Sequence, residues 1–148
     1  MAADLDLVRR LVAADHGLAI VATTRSDGSV HTSLVNAGVV EDPLTGEPAV
    51  ALVAAGAARK VQLVRARGRA SLTFRAGWEW VAVEGPVTLL GPDDVPDGFD
   101  PSAVPQLLRD VFTAAGGTHD DWDTFDRVMA DERRVAVLVH PARITSNG

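Results

Sequence analysis

Residues 49–74 read AVALVAAGAARKVQLVRARGRASLTF, and this stretch decides the fold. Ala49–Ala54 is apolar at every position, which predicts a strand that is buried on both faces. Apolar side chains then recur at helical spacing, which predicts a helix over about Ala58–Ala66 that Gly68 can end. Arg69–Phe74 is predicted to be the next strand. The stretch therefore supplies two strands and the helix between them.

The rest of the chain is predicted to form further strands, most of them joined by short turns. Strands are expected at Leu18–Thr24, Ser29–Val40, Trp78–Leu90 and Arg133–His140, with a short last strand in the tail. Helices are expected at Asp4–Ala14, near Pro101–Ala115 and near Asp120–Asp131, with Asp120 as N-cap of the last one. Gly85-Pro86 in the middle of a long strand predicts a bend of the kind that a barrel corner requires. The sequence thus predicts one mainly β domain over residues 1–148, an antiparallel barrel with helical covers, and disfavours an alternating doubly wound fold.

Composition excludes several classes of protein. The chain has 148 residues and no cysteine, which excludes disulfide scaffolds, zinc–thiolate sites, iron–sulfur clusters and cysteine nucleophiles. The N-terminal residues show no apolar signal-peptide core, and the longest apolar run, Pro48–Ala58, is too short to cross a bilayer. We therefore expect a soluble cytoplasmic protein.

Charge is distributed unevenly along the chain. The formal net charge is −6, yet Pro48–Trp78 contains six basic residues and no acid, whereas Asp93–Glu132 contains eleven acids and two arginines. Nucleic-acid binding needs a broad positive surface, which argues against that function for an acidic protein. A local positive block on an acidic body fits a small anionic ligand, and the alternative is that these basic residues form a solvated face.

Lys60 is the only lysine and lies in the first turn of the predicted helix after the buried strand. Backbone N–H groups at a helix start lack helical partners and favour an anion, and a neighbouring cation such as Arg59 strengthens the site. The pattern predicts phosphate binding here; the alternative is a surface pair of cations after an alanine-rich loop. The sequence contains no GxxxxGK[ST], GxGxxG or GxSxG, so it supports no P-loop, Rossmann or nucleophile-elbow site.

No catalytic side chain is identified by its pattern. The histidines at positions 16, 31, 119 and 140 lack metal-ligand spacing, so no metal site is predicted and each is expected to be a surface or turn residue. A redox cofactor needs few protein groups of this kind, because the protein then supplies binding, orientation and shielding. Trp78 and Trp80 are expected on one strand face, where they would stack on a planar ring, join a dimer interface or cap the barrel core.

Four pieces of the sequence resemble a known family in their order along the chain. They are LAIVATTRSDGSVHTSLV (18–35), VAAGAARKVQLVRARGRASLTF (53–74), WEWVAVEGPVTLL (78–90) and VAVLVHPARIT (135–145). Together with the first helix they resemble the pyridoxamine 5′-phosphate oxidase-like FMN-binding split barrels. The resemblance is greatest to the actinobacterial branch that uses the deazaflavin coenzyme F420.

The resemblance implies a homodimer of six- or seven-stranded antiparallel split β-barrels with cofactor sites in grooves between the subunits. Arg59 and Lys60, which match the family's motif after the third strand, would hold the cofactor phosphate. The residues that would lie along the ring system or line the site are Ser33, Leu34, Val35, Asn36, Val53 and Ala54. Trp80 matches a position that can reach the ring from the partner subunit.

The implied function is that of an F420-dependent oxidoreductase, which transfers hydride from the reduced deazaflavin to a small unsaturated molecule. The alternatives are an FMN-binding oxidase or electron carrier of the same fold, and a non-catalytic cofactor-binding protein. Two departures from the flavin-binding pattern weaken the case for tight FMN binding: Ser33–Asn36 carries no basic residue, and alanines at positions 54, 55 and 58 replace the expected hydroxyls. Arg65, Arg67 or Arg69 would attract the polyglutamate tail of F420.

Overall fold

The computed structural model describes residues 3–148, which form seven strands, four α-helices and a short 3₁₀ turn. The strands are β1 (Leu18–Thr24), β2 (Val30–Glu41), β3 (Pro48–Ala54), β4 (Arg69–Ala76), β5 (Glu79–Leu90), β6 (Val135–Val139) and β7 (Arg143–Ser146). The helices are α1 (Leu5–Ala14), α2 (Arg59–Arg67), α3 (Val104–Ala114) and α4 (Trp122–Asp131), and the 3₁₀ turn is Pro101–Ala103. No helix within residues 3–148 is long and apolar enough to cross a membrane.

Six strands close into an antiparallel barrel in the order β4-β1-β2-β3-β6-β5, with β4 paired to β5 and with β7 as an extra strand on β5. The two longest strands each serve both halves of the barrel. Residues 30–36 of β2 pair with β1, and residues 37–41 pair with β3. Residues 79–86 of β5 pair with β4, and residues 87–90 pair with β6. This architecture confirms the predicted split barrel.

Gly85 lies where β5 changes from one half of the barrel to the other. A Cβ at this position would collide with the carbonyl oxygen of His140, so only glycine allows the end of β6 to approach so closely. The backbone N–H of His140 donates to the carbonyl of Pro86 at 2.9 Å and fixes this approach. The Gly-Pro pair therefore occupies the corner of the barrel.

Two apolar clusters hold the helices against the sheet. The first fills the barrel and packs under α1 and α2; it includes Leu11, Leu52, Val61, Leu72 and Phe74. The second lies between the other face of β3 and β6 and the helices α3 and α4; it includes Leu90, Leu108, Val111, Phe125 and Leu138. Full burial of such side chains stabilises the fold by roughly 1.5–3 kcal/mol each.

The helices α3 and α4 are linked to each other and seated on β2. Arg109 of α3 donates two hydrogen bonds to the carboxylate of Asp126 on α4, at 2.9 and 2.6 Å, and its guanidinium lies 5.3 Å from the ring centre of Trp122. A Cβ at Gly38 of β2 would collide with the carbonyl of Ala114, so the absence of a side chain lets α3 end directly on the strand. These contacts place the α3–α4 loop beside β2.

Three predicted details are wrong for local reasons. The N-cap of α4 is Asp121 rather than Asp120, since adjacent acids compete for a single capping position. The helix predicted at Pro101–Ala115 begins as the 3₁₀ turn and becomes α-helical only from Val104. Arg133 adopts a φ of 49° in a turn, so β6 begins two residues later than predicted.

Candidate functional site

A cavity of about 690 Å³ opens between the barrel and the α3–α4 pair. Its floor is formed by β2 and the end of β3, and one side by the start of α2. The other walls come from the end of α3, the α3–α4 loop, α4 and Arg134. The residues that line it include no aspartate or glutamate, so the lining favours a neutral or anionic ligand over a cation.

Lys60 lines this cavity from the first turn of α2. The N-cap of α2 is Ala58, which offers no side-chain cap, and the first turn contains no acid. Lys60 is half-buried, and its ammonium has neither an ion pair nor a hydrogen bond with any residue in the described range 3–148. An unpaired cation beside unpaired backbone N–H groups favours an anion at this end of the cavity.

Gly56 brings a second cation to the same cavity. Its N–H donates to the carbonyl of Glu132 at 3.3 Å, and a Cβ there would lie 2.5 Å from the carbonyl oxygen of Arg133. The loop before α2 therefore lies directly against the turn before β6, where Arg134 also lines the cavity. The guanidinium of Arg134 donates to Glu132 Oε2 at 2.9 and 3.1 Å, so part of its charge is already matched. Arg134 was not among the predicted site residues. In the sequence it is marked only as the second of two arginines that precede an apolar strand.

Most of the predicted site residues come together around this cavity. Six of the nine line it: Leu34, Val35, Asn36, Val53, Ala54 and Lys60. The amide of Asn36 donates to the backbone carbonyl of His16 at 2.8 Å, which fixes that side chain at the rim. Ser33 does not line the cavity, and its hydroxyl is buried without a hydrogen-bond partner in the described part of the chain.

Arg59 and Trp80, the other two predicted residues, lie elsewhere. Arg59 is exposed on α2 and donates to the side chain of Gln62 at 3.1 Å. Trp80 lines a second cavity of about 850 Å³, together with Trp78 and Arg75. Leu34 lines both cavities, so the two adjoin across β2.

The face around the second cavity exposes large apolar side chains. Ile20 is 44% exposed, Leu34 64% and Trp78 93%. Trp78 therefore does not cap the barrel core, which excludes one of its three predicted roles. Both tryptophan backbones are bonded to Asn147 in the tail, which holds the turn before β5 in place.

Aromatic side chains from α3 and α4 form a wall of the first cavity that sequence analysis did not anticipate. Phe112 and Phe125 line the cavity with ring centres 5.0 Å apart, and Trp122 packs edge-on against both at 6.1 and 5.1 Å. His119 in the α3–α4 loop joins this group 5.6 Å from Phe125. The amphipathic pattern of α3 and α4 predicts that each helix has an apolar face. It does not predict that these faces line a cavity beside β2.

His16 and His119 both line the cavity, although each is also an exposed loop residue as predicted. Within residues 3–148, no group of three or more histidine and acidic side chains is placed to hold a metal ion. The cavity thus combines a cationic end, formed by Lys60 and the start of α2, with an aromatic end, formed by α3, α4 and their loop.

Several proteins of known structure are similar to this chain, at low sequence identity. No protein-family model matches the sequence. A conserved hypothetical protein from Mycobacterium tuberculosis is 18% identical and superposes with a TM-score of 0.68 over 99% of this chain and 84% of the other. An F420 reductase is 14% identical, with a TM-score of 0.59 over 90% of this chain and 93% of the other.

A pyridoxamine 5′-phosphate oxidase-related FMN-binding protein from Nostoc punctiforme is also similar. It is 13% identical, with a TM-score of 0.65 over 95% of this chain and 79% of the other. At these identities the likeness shows the split-barrel fold, which this chain therefore shares with flavin-binding and F420-dependent proteins.

Proposed function

We propose that this protein is an oxidoreductase that binds coenzyme F420 in the cavity between β2, β3 and α2 and reduces a small unsaturated organic molecule. One observation carries the proposal: Lys60, which has no ion pair or hydrogen bond within residues 3–148, lines a ligand-sized cavity at the uncapped start of a helix. Structural similarity to an F420 reductase and to an FMN-binding protein supports a cofactor of this type.

The cationic end and the floor of the cavity have different proposed roles. Lys60 and the first N–H groups of α2 hold the phosphate, and Arg59 adds positive charge from the exposed side of the same turn. Leu34–Asn36 of β2, with Val53 and Ala54 of β3, lies along the ring system. When bound, the cofactor would supply the hydride, while the chain orients the reactants. Solvent supplies the proton.

The charge of the phosphate favours F420 over FMN. The phosphodiester of F420 carries one negative charge, whereas a phosphate monoester such as that of FMN carries close to two at neutral pH. The cavity offers one unpaired cation, since Arg134 is matched by Glu132 and Ser33–Asn36 carries no base. Alanines at positions 54, 55 and 58 supply no further hydroxyl donors.

The anionic tail of F420 would meet Arg67 and Arg69. Both are exposed, and neither forms an ion pair within residues 3–148. Arg65, the third residue expected to attract the tail, is already bonded to both carboxylate oxygens of Asp94 at 3.0 and 2.6 Å. Arg65 is therefore not part of the proposed tail site.

The proposal includes a homodimer formed through the apolar face of Ile20, Leu34 and Trp78. Burial of this face would remove exposed apolar area from water. Because Leu34 also lines the first cavity, a second copy of the chain on this face would help to enclose the cofactor. Trp80 of the partner subunit would then contact the ring system.

Titration of the purified protein with F420 and, separately, with FMN tests the proposal. Cofactor fluorescence should change saturably with F420, and FMN should bind more weakly. Preferential binding of FMN would favour the FMN-dependent alternative, and binding of neither would contradict both cofactor assignments. Sedimentation velocity of the same samples tests the dimer, and a monomer at all concentrations would contradict it.

A further inference from the structure

The orientation of His119 is fixed by its neighbours. The ring lies 6.3 Å from Phe112, 5.6 Å from Phe125 and 5.8 Å from Trp122, measured between ring centres. A Cβ at Gly117 would lie 2.6 Å from ring atoms of Phe112, so the loop packs closely against that ring. His119 is therefore held at the aromatic end of the cavity, which it lines.

The hydrogen bond to His119 also fixes its tautomer. Nδ1 accepts from the backbone N–H of Asp121 at 3.0 Å, so the ring proton of the neutral imidazole lies on Nε2. Asp121 is itself fixed, because its carboxylate caps α4 by accepting from the N–H and the hydroxyl of Thr124 at 3.1 and 2.7 Å. The Nε2–H of His119 has no acceptor among residues 3–148. The ring that carries it is held by the hydrogen bond from Asp121 and by its contacts with the neighbouring aromatic rings.

The other polar groups of the cavity do not offer such a donor at this end. Thr124 donates its hydroxyl proton to Asp121, and the amide of Asn36 donates to the carbonyl of His16. Arg134 is bonded to Glu132, and Lys60 lies at the cationic end. The ring of His16 also lines the cavity, but no hydrogen bond or ring contact of the described residues orients it.

We propose that the Nε2–H of His119 holds the carbonyl oxygen of a flat, largely apolar ligand that lies against Phe112 and Phe125. This deepens the proposed function, on which it rests, by naming the class of molecule that would be the substrate: cyclic compounds with a ring carbonyl. Aromatic walls accept a flat ring of any kind, and a single donor held beside them selects those that present an acceptor. His119 thus determines specificity by positioning the ligand.

A matched pair of probes tests this assignment without cofactor turnover. 1-Tetralone and tetralin have the same bicyclic skeleton, and only the first carries a carbonyl. Calorimetric titration of the protein should show that 1-tetralone binds roughly 2- to 13-fold more tightly, the range expected for one net hydrogen bond. Equal affinity for the two probes, or no binding of either, would overturn the proposal.

Two variants separate the hydrogen bond from the packing. His119→Phe keeps an aromatic ring without a donor and should abolish the preference for 1-tetralone, while tetralin binding is retained. His119→Gln keeps an N–H donor and should restore part of the preference. A preference that survives in His119→Phe would overturn the proposal, and far-UV circular dichroism checks that both variants fold.

A spectroscopic measurement covers the case in which the variants fail to fold. In ¹⁵N-labelled wild-type protein, His119 should be the Nε2–H tautomer, and its Nε2 shift should move on addition of 1-tetralone but not of tetralin. The Nδ1–H tautomer would overturn the assignment. F420 titration of the same variants keeps the two proposals apart: loss of carbonyl preference with intact F420 binding concerns His119 alone, whereas absence of F420 binding in the wild type concerns the proposed function.

Discussion

Replacement of Lys60 by alanine should weaken cofactor binding without unfolding the protein. Lys60 has no partner within residues 3–148 that the substitution would leave buried and unpaired. A charge-assisted contact is worth roughly 1.5–3 kcal/mol, which corresponds to roughly a 13- to 160-fold change in Kd. Because Lys60 is only half-buried, solvent screens the contact, and we expect the lower end, about tenfold.

Three comparisons make this prediction specific. Arg143→Ala removes one positive charge from β7, where Arg143 pairs with Glu84 at 3.4 Å and lines none of the cavities described above, so its F420 affinity should equal that of the wild type. Arg59→Ala should have a smaller effect than Lys60→Ala, because Arg59 is directed to Gln62. Fluorescence titration at low and high salt should show that wild-type affinity falls with ionic strength and that Lys60→Ala is less sensitive. An unchanged F420 affinity in folded Lys60→Ala protein would refute the assignment of the anion site.

Three further predictions concern stability and assembly. Gly38→Ala should lower the free energy of unfolding by about 1–3 kcal/mol, since the added Cβ meets the carbonyl of Ala114; an unchanged urea midpoint would contradict this packing. The hydrogen bonds from Arg109 hold the pKa of Asp126 below its ordinary value of 3.8, so this pair stabilises the fold above about pH 4 and loses its contribution as pH falls through the lowered pKa. The melting temperature of Asp126→Asn should accordingly vary less than that of the wild type between about pH 5 and pH 2, and an equal variation would show that the pair contributes nothing. Trp78→Ser should weaken the proposed dimer in sedimentation experiments and leave monomer unfolding nearly unchanged, because the ring is 93% exposed; undiminished association would remove Trp78 from the interface.

The parts of the fold that local sequence determines were predictable. The β1–β2 hairpin follows from two apolar runs around Asp27-Gly28, and the start of α2 follows from the change of periodicity after Ala54. The position of Lys60 at the start of α2 was predictable because it depends only on where β3 ends and α2 begins.

The remaining walls of the cavity depend on contacts between distant parts of the chain. Arg134 reaches the site because Gly56 lets two loops approach, and Phe112 reaches it because Gly38 lets α3 end on β2. A glycine in a sequence signals that some close approach is possible, but it does not name the partner. The sequence also could not decide which residue caps α4. Asp120 and Asp121 both fit the N-cap pattern, and the structure shows that Asp121 is the cap.

Two acids of the acidic segment pair with arginines that lie far away in the sequence, and neither of these acids neutralises Lys60. Asp94 takes both hydrogen bonds of Arg65, which raise the pKa of that guanidinium, and Asp93 takes those of Arg133, which hold the pKa of Asp93 below its ordinary value. No such partner within residues 3–148 reaches Lys60. At physiological salt, exposed charges farther away than about 8 Å are strongly screened. An anion that enters the cavity therefore meets the local field of Lys60 and of the α2 N–H groups rather than the net charge of −6, so an acidic protein can still hold an anionic cofactor.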